Sequence, residues 1–177
     1  MRQNHDHPKR LRSEYESVMS SFQSLALDKA HELKCELAGE VLRSSGKLRL
    51  QVTGWSMLPS VWPGDMLMIE RTETAAVSAG DIVLFRRDRR LFAHRVIKDS
   101  DGTQGKIVTK GDGMLQSDSP VAKDELLGKI CGIVRNGRHL EPRTLNFSER
   151  AVAALVQRSS SAARLAVGIH GIRRAQK

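Results

Sequence analysis

Aromatic residues are scarce in this chain, seven of 177 or 4%. That argues against a platform on which nucleic-acid bases stack, so the basic excess has to be read another way. Cysteine is nearly absent too. Cys35 and Cys131 lie far apart with no metal-ligand spacing, which indicates neither a zinc site nor a disulfide framework; both are expected to be reduced and packed. His5 and His7 have no further ligands nearby and read as solvated. No run approaches the roughly 18 to 20 apolar residues that span a bilayer. The start, MRQNHDHPKRLR, lacks the apolar core of a secretory signal. The expected location is cytoplasmic, or peripheral to the inner membrane surface.

What is present suits one globular domain with appendages: 40% of residues are hydrophobic and 28% charged. The net charge of +9 is unevenly spread. Residues 1–46 hold seven basic and seven acidic groups, residues 47–142 fifteen and twelve, and residues 143–177 seven and one. Such a basic end suits an anionic membrane surface, a nucleic acid or an acidic partner, or serves only as a solubilising tail.

The texture divides the chain into three parts. In the N-terminal arm, 1–46, Tyr15, Val18, Phe22, Leu25, Ala26, Leu33, Leu37 and Val41 recur at three- and four-residue steps, which predicts a helix over 13–45. Ser13 with Glu16 matches a capping box, Gly46 is a C-terminal stop, and a break near Leu27 and Asp28 is expected. The core, 47–142, carries short β-rich runs at 48–52, 66–70, 81–85, 91–97, 106–110 and 126–135. Asp101-Gly102 and Asn136-Gly137 are dipeptides that tight hairpins favour. Without long helices between these runs a doubly wound parallel sheet is disfavoured, and the fold class is α+β with a β-rich core. Beyond Pro142 a basic helix or tail, 143–177, carries Phe147, Leu155, Leu165 and Ile169 in helical register, with Arg150, Arg158 and Arg164 interspersed.

Chemistry concentrates in three segments of the core. Thr53-Gly54-Trp55-Ser56-Met57-Leu58-Pro59, followed by Gly64-Asp65, brackets a serine with glycine and proline at the end of a strand. That arrangement exposes a hydroxyl and aims backbone N–H groups at one point, as a nucleophile and an oxyanion hole require; an ordinary turn would look the same. A serine needs a base, and the candidate is His94 in the strand-like 91–97, since an imidazole is the side chain best suited to exchange a proton at neutral pH. A third group has to hold the imidazole in one tautomer. Asp112, between Gly111 and Gly113, and Asp118, before Ser119-Pro120, both compete for that place, and both are also common turn residues.

The order Ser, His, Asp and the segments around each resemble the S26 signal peptidases, in the branch that uses histidine. Gly54-Trp55-Ser56-Met57-Leu58-Pro59 with Gly64-Asp65 is similar to the family's serine box, His94-Arg95-Val96 to its histidine box, and Lys110-Gly111-Asp112 with Asp118 to its aspartate box. The resemblance spans about 48–134. It implies a signal-peptidase- or repressor-autopeptidase-like core and a serine endopeptidase acting on a precursor or leader peptide, with neither cofactor nor metal. Ser56 would be the nucleophile, His94 the general base, and Asp112 or Asp118 the group that orients it. The oxyanion would be held by the N–H of Ser56 and the hydroxyl of Thr53. Related repressor-type autopeptidases use a lysine base, which leaves Lys110 as a fallback. Signal peptidases of this kind normally carry a membrane anchor, and this sequence has none. The expected partner is therefore a cytoplasmic precursor or a peptide at a membrane, with an anionic membrane surface as a second candidate and no specific nucleic acid. Two rival readings are a regulator that cleaves its own chain and a peptide- or membrane-binding module that cuts nothing.

Overall fold

A computed structural model describes residues 7–98 and 105–143. One long helix, α1 (His7–Ser45), leads into seven strands: β1 (Lys47–Gln51), β2 (Met66–Arg71), β3 (Ile82–Arg87), β4 (Arg90–Lys98), β5 (Val108–Lys110), β6 (Leu126–Arg135) and β7 (Arg138–Leu140). The fold is α+β with a β-rich core. The helix starts six residues before Ser13 and runs unbroken through Leu27 and Asp28, so neither the expected capping box nor the expected break is realised. The chain has no glycine or proline between Pro8 and Gly39 to interrupt it. Pro8 falls in the first turn, where a missing N–H costs nothing. Gly46 stops the helix in a left-handed conformation, φ 71°, with its N–H on the Leu42 carbonyl.

The strands pair antiparallel in the order β1-β2-β6-β3-β4-β5, with β7 added to β6. β3 lies deep in this sheet, and its two faces serve two cores. Ile82 and Leu84 join Leu42, Met57, Leu67 and Ile130 on one side, while Val83 and Phe85 join Val96, Ile107 and Val121 on the other. Burial on both faces is why the strand is a continuous apolar run rather than an alternation. All six expected strands appear within two residues of their expected bounds at either end. The run expected at 106–110 shortens to Val108–Lys110, while Ile107 makes an isolated bridge to Val121. β7 lies beyond the six expected runs, across the hairpin turn expected at Asn136-Gly137. It forms because Asn136 and Gly137 take positive φ, 51° and 75°, and turn β6 back on itself. The β3–β4 hairpin closes the same way through Asp88 and Arg89, φ 48° and 60°, without a glycine to announce it.

The apolar stripe that predicts α1 does not face the sheet. Tyr15, Val18, Phe22, Leu25, Leu33, Leu37 and Val41 are exposed, and the helix packs through Cys35, Ala38 and Leu42 instead. Cys35 is thus packed as expected, whereas Cys131 is exposed. The Asp101-Gly102 turn and the C-terminal helix lie outside the described residues. Among the described residues no helix is long and apolar enough to cross a membrane.

Candidate active site

The loop from β1 to β2 carries Ser56 and is fastened at its ends. The Val52 N–H reaches the Asp65 carbonyl at 2.8 Å, and the Gly64 N–H reaches the Val52 carbonyl at 2.7 Å. Gly64 takes φ 87° to make that return. Asp65, fully buried, accepts the Trp62 N–H and both the Nε and a terminal nitrogen of the Arg135 guanidinium, so the loop's base is charge-paired to β6. Met57 and Leu58 are buried beside Ser56 and hold the turn against the core. Ser56 itself stays partly accessible.

β4 presents adjacent residues to opposite faces. His94 turns to the Phe85 and Phe92 side, with ring centroids 5.9 and 5.8 Å away, and Arg95 turns to the other. The imidazole is buried and hydrogen-bonded at both nitrogens. Its Nε2 lies 2.9 Å from Ser56 Oγ and its Nδ1 2.7 Å from Asp118 Oδ2. Thr109 Oγ1 donates to the same carboxylate oxygen at 2.6 Å. Burial alone would raise the Asp118 pKa. The hydrogen bonds from His94 and Thr109, with the charge of Arg87, outweigh it and hold the carboxyl below its ordinary range.

Of the two candidate aspartates, the structure brings Asp118 to His94 and sends Asp112 elsewhere. Asp112 takes a two-pronged contact from Arg95, 2.9 and 2.8 Å, and the hydroxyl of Ser60. Arg95 also donates to the Gly80 carbonyl and to Ser60. This buried pair ties the serine loop to β4 and to the loop after β5, on the face away from His94. Lys110 pairs in register with Arg95 and so shares that same face. Among the described hydrogen bonds none joins it to Ser56 or His94.

Thr53 lines a cleft of about 530 Å³ with Ser56, Val52, Leu67, Leu91 and Phe92. The cleft's far wall comes from α1 through His31 and Lys34. Among the described residues no cluster of three or more His, Cys, Asp or Glu could hold a metal.

Three contributors were not singled out from sequence. Thr109 stands one residue before the aspartate box, Arg95 stands inside the histidine box but acts on the opposite face, and Gly111 acts by lacking a side chain. A Cβ at Gly111 would lie 2.6 Å from the Ser56 carbonyl oxygen and 3.2 Å from His94 Nε2. The following Gly113 N–H bonds that same carbonyl at 2.8 Å. Two glycines flanking Asp112 were the available signal, and they mark a close approach of two loops as well as a turn.

A serine, an imidazole and a carboxylate are joined in one line on a β-rich scaffold. Residues 14–131, about two-thirds of the chain, match the Peptidase S24-like family, and the chain belongs to it. That family includes serine peptidases and self-cleaving repressors. The match runs across position 46, taking in most of α1 with the sheet. No curated protein matches the chain.

Proposed function

We propose that the protein is a serine endopeptidase that cuts a precursor or leader peptide, using Ser56 as nucleophile, His94 as general base and Asp118 to orient the imidazole. The observation that carries this reading is the unbroken line Ser56 Oγ, His94 Nε2, His94 Nδ1, Asp118 Oδ2, with spacings of 2.9 and 2.7 Å. Asp118 accepts from Nδ1–H, which leaves Nε2 unprotonated and facing the hydroxyl. As Ser56 Oγ bonds to the scissile carbonyl carbon, its proton passes to Nε2, and the imidazolium formed is stabilised by the Asp118 carboxylate. Collapse of the tetrahedral intermediate breaks the C–N bond, and the proton on Nε2 leaves with the amine. A water then attacks the acyl-enzyme by the same route and restores Ser56. The Ser56 N–H and the Thr53 hydroxyl are the proposed oxyanion donors.

Histidine in the base position, with Lys110 on the Arg95 face, favours the histidine branch of the S26 signal peptidases over lysine chemistry within the wider family. The resemblance to signal peptidases implies small residues just before the scissile bond. Asp112 is assigned to bracing the loops rather than to proton transfer.

A diverse peptide library incubated with wild type, Ser56→Ala and His94→Ala, read by mass spectrometry together with intact protein mass, tests the assignment. Peptide cuts by wild type alone are the expected result, with each variant slowed by at least about 10³-fold. Undiminished cutting by Ser56→Ala would sink it. Fragmentation of the wild-type chain without peptide cuts would point to self-cleavage instead.

A further inference from the structure

We infer that the outward face of α1 is a self-association surface, on which a second copy of this chain lays its own α1 antiparallel. Every side chain from Tyr15 to Ala30 is exposed, so these sixteen residues of a 39-residue helix have no described packing on the protein body. Helices in water draw most of their stability from packing an apolar face. The face available here is continuous. Tyr15, Met19, Phe22, Ala26, Ala30, Leu33, Leu37 and Val41 follow one another at steps of three and four. At about 100° per residue they fall in one narrow stripe some 39 Å long. The packed residues Cys35, Ala38 and Leu42 are centred about 145° round the helix from it. Leu33 and Leu37 also line a cleft shared with Arg71, Arg86 and Lys123, so a second helix would meet open α1 surface from Tyr15 to Ala30 and the rim of that cleft beyond it.

The stripe is self-complementary in the antiparallel sense. From Tyr15 to Leu37 its spacing reads the same in both directions about Ala26. A two-fold axis there sets Tyr15 against Leu37 of the second copy, Met19 against Leu33 and Phe22 against Ala30, so large residues meet small or aliphatic ones. Charges agree with that order. Glu16 comes beside Lys34 of the second copy, and Arg12 faces Glu40, which stands on the line of the stripe itself. A parallel pairing would bring Glu36 and Glu40 onto their own copies, and like charges at such positions repel.

A membrane surface fits less well. Helices that lie in an anionic interface are basic on their polar face, whereas α1 carries six basic and six acidic residues, with Glu36 bordering the stripe and Glu40 on it.

Sedimentation velocity on the 177-residue chain across micromolar concentrations tests the surface. Wild type is expected to sediment as a dimer, and Phe22→Glu/Leu33→Glu, both at exposed positions, at half that mass with unchanged thermal unfolding of the sheet. Orientation is read by oxidation in a Cys131→Ser background. Mixed Tyr15→Cys and Leu37→Cys chains should cross-link to each other, and Tyr15→Cys alone should not. A wild-type monomer at every concentration, a dimer that survives the double glutamate variant, or a Tyr15→Cys homodimer would each overturn the inference. So would a monomer that co-sediments with vesicles of anionic phospholipid and loses that binding in the double variant. None of these readouts depends on peptidase activity.

Discussion

At position 111 a single hydrogen in place of a methyl lets two loops meet. Gly111 has no positive φ to explain it; what it supplies is clearance, because the space a Cβ needs is filled by the Ser56 carbonyl oxygen and by Met114. Gly111→Ala should therefore push the serine loop and the aspartate loop apart while both cores stay intact. Misplacement of about 1 Å at a reacting group costs on the order of 100-fold. Turnover is expected to fall by that much with a nearly unchanged unfolding midpoint, and a fully active Gly111→Ala protein would show that the approach is looser than described. The serine, the histidine and the aspartates were all legible from sequence because their chemistry is written in residue type. The choice between Asp112 and Asp118 was not. Both sit in glycine- or serine-rich turns six positions apart, and only the path of the chain after β5 brings one to His94 and the other to Arg95.

Among the elements, the loop after β5 shows how a site can rest on parts remote in sequence. Asp118 is held from below by its own N–H on the Thr109 carbonyl. From above, Arg87 at the end of β3 donates to the Ser119 and Pro120 carbonyls while its other edge grips Glu125 at 2.8 Å twice. That hydrogen bond from Arg87 keeps the Glu125 carboxyl below its ordinary range against a smaller opposing effect of burial. Under the proposed mechanism Arg87 would be a positioning residue that acts through Asp118. Arg87→Ala is expected to cost about 1–3 kcal/mol of stability and to lower kcat more than it raises KM, by about tenfold. Arg87→Lys keeps the charge but cannot span both carbonyls and the carboxylate, so it should recover stability more than kcat. Equal loss of kcat in both variants with KM unchanged would support the role; a change confined to stability would remove it. Strand positions were largely foreseeable because alternation and the β3 apolar run follow burial directly. The Asp88-Arg89 turn was not, since aspartate only tolerates positive φ, no glycine or asparagine marks the site, and the pairing of β3 with β4 imposes it.

For the molecule as a whole, acid stability reports the buried line of hydrogen bonds. Asp118 has a depressed pKa in the folded state, so it binds fewer protons there than in the unfolded chain. Its contribution is complete above about pH 4, the ordinary aspartate value, and is lost as pH falls through the lower folded value. Asp118→Asn should thus be less stable than wild type at about pH 7, with the gap narrowing as pH drops below about 4. Urea unfolding at several pH values measures this, and a gap independent of pH would mean that the carboxylate charge contributes nothing to folding.

The sequence by itself determined the elements and the chemical inventory: a helix, a set of short strands, a serine, a histidine and two carboxylates in family-like boxes. Those features depend on periodicity and residue type, which are local. Tertiary structure alone decided which carboxylate meets the imidazole, that Arg95 braces the far face, and that α1 packs through Cys35, Ala38 and Leu42 rather than through its longest apolar stripe. The physical reason is the same in each case. A periodic pattern marks an apolar face or a reactive group without saying what will lie against it, and contacts between residues distant in sequence exist only once the sheet has closed.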